Sequence, residues 1–504
     1  MIPGGMKRAP ASVSSYLVVA VRFVATLLAV AAAPFGSPLE GQSWAVSEAS
    51  KADVKQFGAT GDGNIDDTAA IQRAVDSQIG EIRFPRGVYR ITKTITVELD
   101  RTGPISIVAD GVARVVMSGP GPALRFVGTH EGTASPATVK DNVWRNQRTP
   151  TVDGLEIVGA HPQASGIEAT GTMQLTVTRV VVRKSLHGIH LVKRNRNVVV
   201  SDCHLYENRA AGIYYDHVDL HQSNISGSHI SYNRAGGIVV RGGNVRNIHI
   251  GTCDIEGNMG GPDSEPTANV LLDSTGGSIG EVAIVGCTIQ HAYDAPDSSN
   301  IRVNGQSTPR PFTKERRHGN ITIAGNVLSD AQVNVDVRNA RGVTITGNTM
   351  WKGYGHNLRV ADSASVVVVG NVFDRNPRYH YGDGDRAKLG LLFTDSDGCT
   401  ISGNHIHGSG ETVAAFTVRR CRRFNIIGCT ILDFARCGLL LEDVADSRVS
   451  DCLIRDDRPG NDNSFSLRVT GGRGNMIVNN LLGNQRSIDA QAAHVAGNVP
   501  AESP

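Results

Sequence analysis

The chain has 504 residues, 57 of them glycine, with 5% aromatic residues and a formal net charge of +2. Charge so close to neutral excludes nucleic acid or a membrane surface as a partner attracted by net charge. Abundant glycine with few aromatics argues against an α/β enzyme core and for an elongated all-β repeat.

Residues 1–45 read as a leader outside the fold. Lys7 and Arg8 form a positive start, and an apolar stretch over 16–33 follows, interrupted by Arg22. The unbroken part, 23–33, has the length of a signal-peptide core and is too short to span a bilayer. Small residues suited to cleavage stand at Ala31, Ala32 and Ala33, and again at Ser43 and Ala45. A cleaved export signal is expected rather than a retained anchor. The mature protein is then expected to be secreted, periplasmic or at the cell surface, without stable membrane insertion.

Residues 46–100 are expected to form an N-terminal cap and the first coils. Asp66 or Asp67 can cap a helix in which Ile71, Ala74, Val75 and Ile79 share one face. An amphipathic helix laid over the first coil covers apolar core that a solenoid end leaves open. A strand over 82–91 follows, beginning Ile82, Arg83, Phe84, Pro85. The run 54–91 resembles the N-terminal signature of the pectate-lyase-like superfamily of right-handed parallel β-helices. That group includes polygalacturonases, rhamnogalacturonan-degrading enzymes, mannuronan epimerases, lyases and phage tailspikes. The resemblance implies the fold and a polysaccharide as substrate or ligand, but no reaction, since one scaffold hosts many chemistries. The Asn-Thr-Asp, strand-end Asp-Asp and Gly-His-Gly motifs of polygalacturonases are absent, as is the Asp-Pro-His-Glu run of the epimerases. No catalytic residue is therefore carried over.

Between Cys203 and Asn480 one pattern recurs: an apolar residue, two small or polar residues, Cys, Ser or Asn, any residue, then an apolar one. Its central position falls at Cys203, Ser228, Cys253, Cys287, Asn326, Asn348, Asn371, Asn404, Cys429, Cys452 and Asn480. Spacings of 22 to 25 residues dominate, enough for three short strands and their turns, which is one coil. Leucine-rich repeats share the period but not the pattern. The sequence thus predicts an all-β fold: a single right-handed parallel β-helix of roughly 12–15 coils over 101–490, followed by a disordered tail over 491–504. The recurring Asn would form a hydrogen-bonded ladder, with Cys and Ser as small substitutes. Five of the eight cysteines fall on it and are read as buried thiols. Cys203 and Cys253, two coils or roughly 9.6 Å apart, lie beyond disulfide reach, whereas Cys253/Cys287 and Cys429/Cys452 are close enough for a bond. No Cys or His spacing suggests zinc. No cofactor is expected, and no motif supports Ca²⁺.

Long spacings mark insertions at 257–267, 305–317 and 376–388. The first two border one strand face from opposite sides and would wall a cleft, with a further insertion over 128–150 shielding its end. The outward residues of that face are predicted as His190, Tyr214 with Asp216, Arg241, Asp273, Arg302 with Asn304, then Asn334, Asp336 and Arg338, then Asn357 and Arg359. Asp216, Asp273, His217, Tyr214 and Arg241 are the candidate catalytic residues. Arg302, Asn304, Asp336, Arg338 and His221 are the candidate substrate contacts. Hydrolysis would use Asp216 and Asp273 as a carboxyl pair at an inverting separation. Elimination from a uronic acid would use Arg241 or Arg302 to neutralise the carboxylate and His217 or Tyr214 as base. The alternating signs read equally as an ordinary surface charge ladder, and the scarcity of aromatics suits a non-catalytic binding or adhesive module. Monomer and trimer both remain open.

Overall fold

The computed structural model describes residues 51–306, 318–375, 387–461 and 463–500. They form a single right-handed solenoid in which every strand pairs in parallel with its equivalent one coil away. Two inward rows explain the stacking. Ile189, Ile213, Ile238, Val270, Ile301 and Val335 lie in register, as do Leu191, Tyr215, Val240, Leu272, Val303 and Val337, all of them buried. The residues between and beyond them point outward, as the period of two requires.

Single residues turn the chain. Across one coil the backbone takes positive φ at His217 (47°), Gln222 (67°), Gly227 (56°) and Tyr232 (54°), and the equivalent positions repeat this in neighbouring coils. One left-handed residue reverses the curvature between two short strands without a loop, so successive faces meet at sharp corners.

The predicted ladder is present. Asn326 donates its backbone N and Nδ2 to Asn348 Oδ1 (3.0 Å each), Asn348 does the same to Asn371, and Asn371 to Asn404. The backbone N of Cys203 donates to Ser228 Oγ (3.1 Å), and that of Cys452 to Asn480 Oδ1 (3.0 Å). All eight cysteines are buried free thiols, including the adjacent pairs Cys253/Cys287 and Cys429/Cys452. A second ladder was not anticipated: Asn208, Asn233, Asn258, Asn269, Asn300, Asn334 and Asn357 bond amide to amide at another inside corner. Asn334 and Asn357 thus point inward, against the expectation: Asn334 Nδ2 donates to the Trp351 carbonyl (2.9 Å) and to Asn357 Oδ1 (2.7 Å), which also accepts from the backbone N of Gly353 (3.2 Å).

At the N-terminal end the helix Thr68–Asp76 buries Ala70, Ile71, Ala74 and Val75. Asp66 accepts from the Thr68 backbone N (3.0 Å), while the buried Asp67 turns back to accept from Thr60 and Gly61. At the other end the tail expected to be disordered over 491–504 is ordered over 491–500, and 501–504 lie outside the described residues. Strands Ala493–Ala496 and Val499–Pro500 continue the coil, and Asn498 accepts from Asn480 (2.8 Å), since the ladder still has a rung to offer there. The expected leader over 1–45 lies outside the described residues, as do most of the insertions 305–317 and 376–388. Among the described residues no helix is long and apolar enough to cross a membrane.

Candidate functional site

One outward face, built from the parallel strands Ala164–Thr170, Ile189–Ser201, Ala211–Ser226, Gly236–Arg241, Ala268–Asp273, Ser299–Asn304, Ala331–Arg338 and Gly353–Ala361, carries most of the candidates. Register sets two outward rows. Glu168, His190, Tyr214, Val239, Leu271, Arg302, Asp336 and Arg359 form one. Asp216, Arg241, Asp273, Asn304 and Arg338 form the other. The face holds two polar centres separated by the apolar rungs Val239 and Leu271.

The first centre is built on Asp216. His217 Nδ1 donates to its Oδ1 (2.8 Å) and His190 Nε2 to its Oδ2 (3.1 Å). Burial works to raise the Asp216 pKa, but the bonds from His217, His190 and Tyr214 outweigh it and hold the carboxyl below its ordinary value. Since an ionised carboxylate only accepts, His217 carries a proton on Nδ1, which leaves Nε2 on the side of the ring away from that bond. The His217 side chain is 66% exposed. It is itself the corner residue (φ 47°), and its ring lies over Gly242, where a Cβ would stand 2.6 Å from its Cδ2. Tyr214 stacks on His190, with ring centroids 5.3 Å apart and planes within 5°. Burial and then the Asp216 charge push its phenol above the ordinary value, so it stays protonated. His187 stacks on the same rings and is drawn down to about 4 by burial and then by His190. Glu168 stands 3.7 Å from His190 and is held by Arg125 (2.7 Å). Arg241, one rung beyond Asp216, is exposed and, among the described residues, in no ion pair.

The second centre is a closed ion cluster. Asp336 is fully buried and accepts from Arg302 Nε (2.8 Å), from Arg359 Nε and Nη2 (2.9 Å each) and from Arg338 Nε (3.2 Å). Asp297, from the preceding turn, bonds Arg338 (2.8 Å) and Arg359 (2.7 Å), and its carbonyl oxygen accepts from Arg302. Burial alone would raise the Asp336 pKa; Arg359, Arg302 and Arg338 together bring it to about 2. Beside them His356 is drawn down to about 4 by burial and then by Arg359, and its Nδ1 is buried with no partner among the described residues.

Asp216 and Asp273 stand two rungs apart in one row, as expected; Asp273 accepts from Thr275 Oγ1 (2.8 Å) and Asn304 Nδ2 (3.0 Å). Several other expectations are corrected. No ion pair links Asp216, Arg241 and Asp273 among the described residues, so the surface ladder is not formed there. His221 sits around the corner at His217, in register with Arg196 and Arg246 rather than beside Asp216. The insertion over 128–150 packs near that strip, where the carbonyls of Gly132, Thr133 and Ala134 accept from Arg194 and Arg196. Of the insertion over 257–267, Met259 Sδ accepts from the backbone N of Asp294, so it leans on the turn that supplies Asp297. Asp297 had no signal in the sequence, being a lone acid in a non-repeating turn. Glu168 was findable, as the register partner of His190 one coil earlier.

Two family models match the chain: "Right handed beta helix region" over residues 128–289 and "Periplasmic copper-binding protein (NosD)" over 281–499. With the topology, they agree on a right-handed parallel β-helix fold. Among solved structures it is similar to the tailspike protein of E. coli bacteriophage HK620 in complex with a hexasaccharide, at 11% identity and TM-score 0.50, covering 85% of this chain and 80% of that one. It is also similar to the Azotobacter vinelandii mannuronan C-5 epimerase AlgE6 A-module (15% identity, TM-score 0.34, 89% and 100% covered). A third is the Streptococcus pneumoniae surface protein and adhesin PfbA (12%, TM-score 0.42, 89% and 100%). No curated protein matches the sequence. The copper of the second family description finds no matching donor set: among the described residues no three His, Cys, Asp or Glu side chains are grouped to hold a metal, and the thiols are buried in the core.

Proposed function

We propose that the protein is an exported polysaccharide-active β-helix that abstracts a proton from a uronic acid residue, as a lyase or C-5 epimerase. The observation that carries this is the exposed His217 held by an ionised Asp216, with protonated Tyr214 and unpaired Arg241 beside it. Hydrolysis by a carboxyl pair needs one carboxyl kept protonated, and Asp216, held below its ordinary value, does not supply that acid. The resemblance of residues 54–91 to pectate-lyase-like proteins supplies the substrate class. The apolar leader and the periplasmic description of the family matched over 281–499 support export.

In this reading Arg241 neutralises the uronate carboxylate and so acidifies the proton on C5. His217 Nε2 takes that proton, and Asp216 stabilises the imidazolium that forms. For elimination the electron pair forms the C4–C5 double bond, the C4–O bond breaks, and Tyr214 protonates the departing oxygen. For epimerisation a proton returns to C5 from the opposite face.

The test is incubation with polyuronates in D₂O, following both the absorbance of the unsaturated product and deuterium entry at C5. Activity should fall by about 10²–10⁴ in His217→Gln, and Asp216→Asn should also lose most of it. Neither signal on any polyuronate, or full activity in both variants, overturns the reading. Saturable polyuronate binding without turnover would point to a binding module.

A further inference from the structure

Around the corner from the dyad lies a groove of different chemistry, with a volume of about 610 Å³, within the range of ligand sites. Its corner row is Gln174, Asn197, Gln222 and Asn247, equivalent residues of four successive coils, all left-handed at φ 61°, 55°, 67° and 58°. A second row, Thr176, Val199, Asn224 and His249, lies in register beside it. Among the described residues no Asp, Glu, Lys or Arg lines the groove. The next corner residue is Glu281, which ends the uncharged run.

Local backbone preference explains part of this row only. Asn tolerates the left-handed region by bonding locally, but Gln has no such advantage, and Gln174 and Gln222 occupy it at a cost. Nor are all the amides used up internally, although Gln174 Oε1 accepts from Thr149 Oγ1 (3.4 Å). Among the described residues the side chains of Gln222 and Asn224 have no hydrogen-bond partner although both are exposed, and Asn197 Oδ1 is buried without one. Donors and acceptors of one type therefore recur at each rung, about 4.8 Å apart along the solenoid axis. A ligand that matches a linear repeat is itself a linear repeat, bearing hydroxyls on every unit. A uronate would lose its hydration here without meeting a cation.

We propose that this groove binds a neutral glycan strand laid along the solenoid axis, at a site separate from the His217–Asp216 dyad and independent of the reaction assigned to it. The full-length protein is titrated by calorimetry with cello-, malto- and xylo-oligosaccharides of six units. At least one is expected to bind, with an affinity unchanged between low and high salt because no charge takes part. The double variant Gln222→Ala/Asn224→Ala should weaken binding about tenfold or more. Asn224→Arg should abolish it with an unaltered thermal midpoint. Turnover of polyuronates should be the same in these variants as in the parent chain. No binding by any of the three sugars, binding indifferent to the variants, or selective binding of an acidic glycan that salt abolishes would each overturn the proposal.

Discussion

The two polar centres of one face use the same residue types and end in opposite states. Around Asp336, three arginines and Asp297 close on a carboxylate with no exposed surface, so each charge already has its partner. Around Asp216, two histidines fix a carboxylate that is one-third exposed, and the His217 ring extends into solvent beside an unpaired Arg241. Density of charge is similar, but the reactive atoms are spent in one centre and available in the other. The Arg–Asp cluster accordingly reads as a structural knot holding the 297 turn to three successive coils, and the His–Asp pair as the place where chemistry can occur.

The largest break in this comparison comes from removing the central acid of each centre. Asp336→Ala leaves three partly buried guanidinium groups with Asp297 as their one remaining carboxylate among the described residues and should cost about 3–5 kcal/mol, read as a lower denaturant midpoint. Asp216→Ala, in a solvated site, should cost less than about 1.5 kcal/mol while removing activity. Equal stability losses in the two variants would erase the distinction.

Acid sharpens it next. The folded-state pKa of Asp336 is depressed to about 2 from an ordinary 3.8, so its stabilisation is fully present above the ordinary value and lost as pH falls through about 2. The difference corresponds to on the order of 2 kcal/mol. Unfolding midpoints measured between pH 5 and pH 2 should fall more steeply in the parent chain than in Asp336→Asn. Parallel curves would show that the cluster does not set the acid limit.

The sequence made the solenoid legible because its core repeats: the Asn/Cys corner recurs in register, and each recurrence marks a coil. Tyr214, Asp216, Arg241 and Asp273 could be assigned outward for the same reason, by counting from that corner. Counting failed where two inward rows differ in chemistry. Asn334 and Asn357 look polar and so outward, yet they belong to a second ladder that starts within turns, at Asn208 and Asn233, and enters the strands only at Asn269. It failed again at His217 and His221, four residues apart, because a single left-handed residue puts them on different faces. The pairing of Asp216 with its neighbours was likewise not readable. Sign alternation along the row suggested Arg241, whereas the bonds come from His190, two residues off the row, and from the adjacent His217.

The smallest expected effect discriminates most finely. Arg241 stands in register between Asp216 and Asp273, the arrangement of a stabilising charge ladder, yet it is exposed and unpaired among the described residues. If the ladder operated, Arg241→Gln would lose part of two ion pairs, and the loss would shrink in high salt. With Asp216 engaged by histidines and Asp273 by Thr275 and Asn304, there is no pair to lose. The thermal midpoint of Arg241→Gln should then match that of the parent chain, within about 0.5 kcal/mol in stability, at low and high salt alike. Arg302→Gln, which strips one of the arginines from the buried Asp336, should in contrast be clearly destabilised. An Arg241 variant with unaltered stability and lost turnover of polyuronates assigns the charge to the ligand; a salt-dependent stability loss assigns it to the fold.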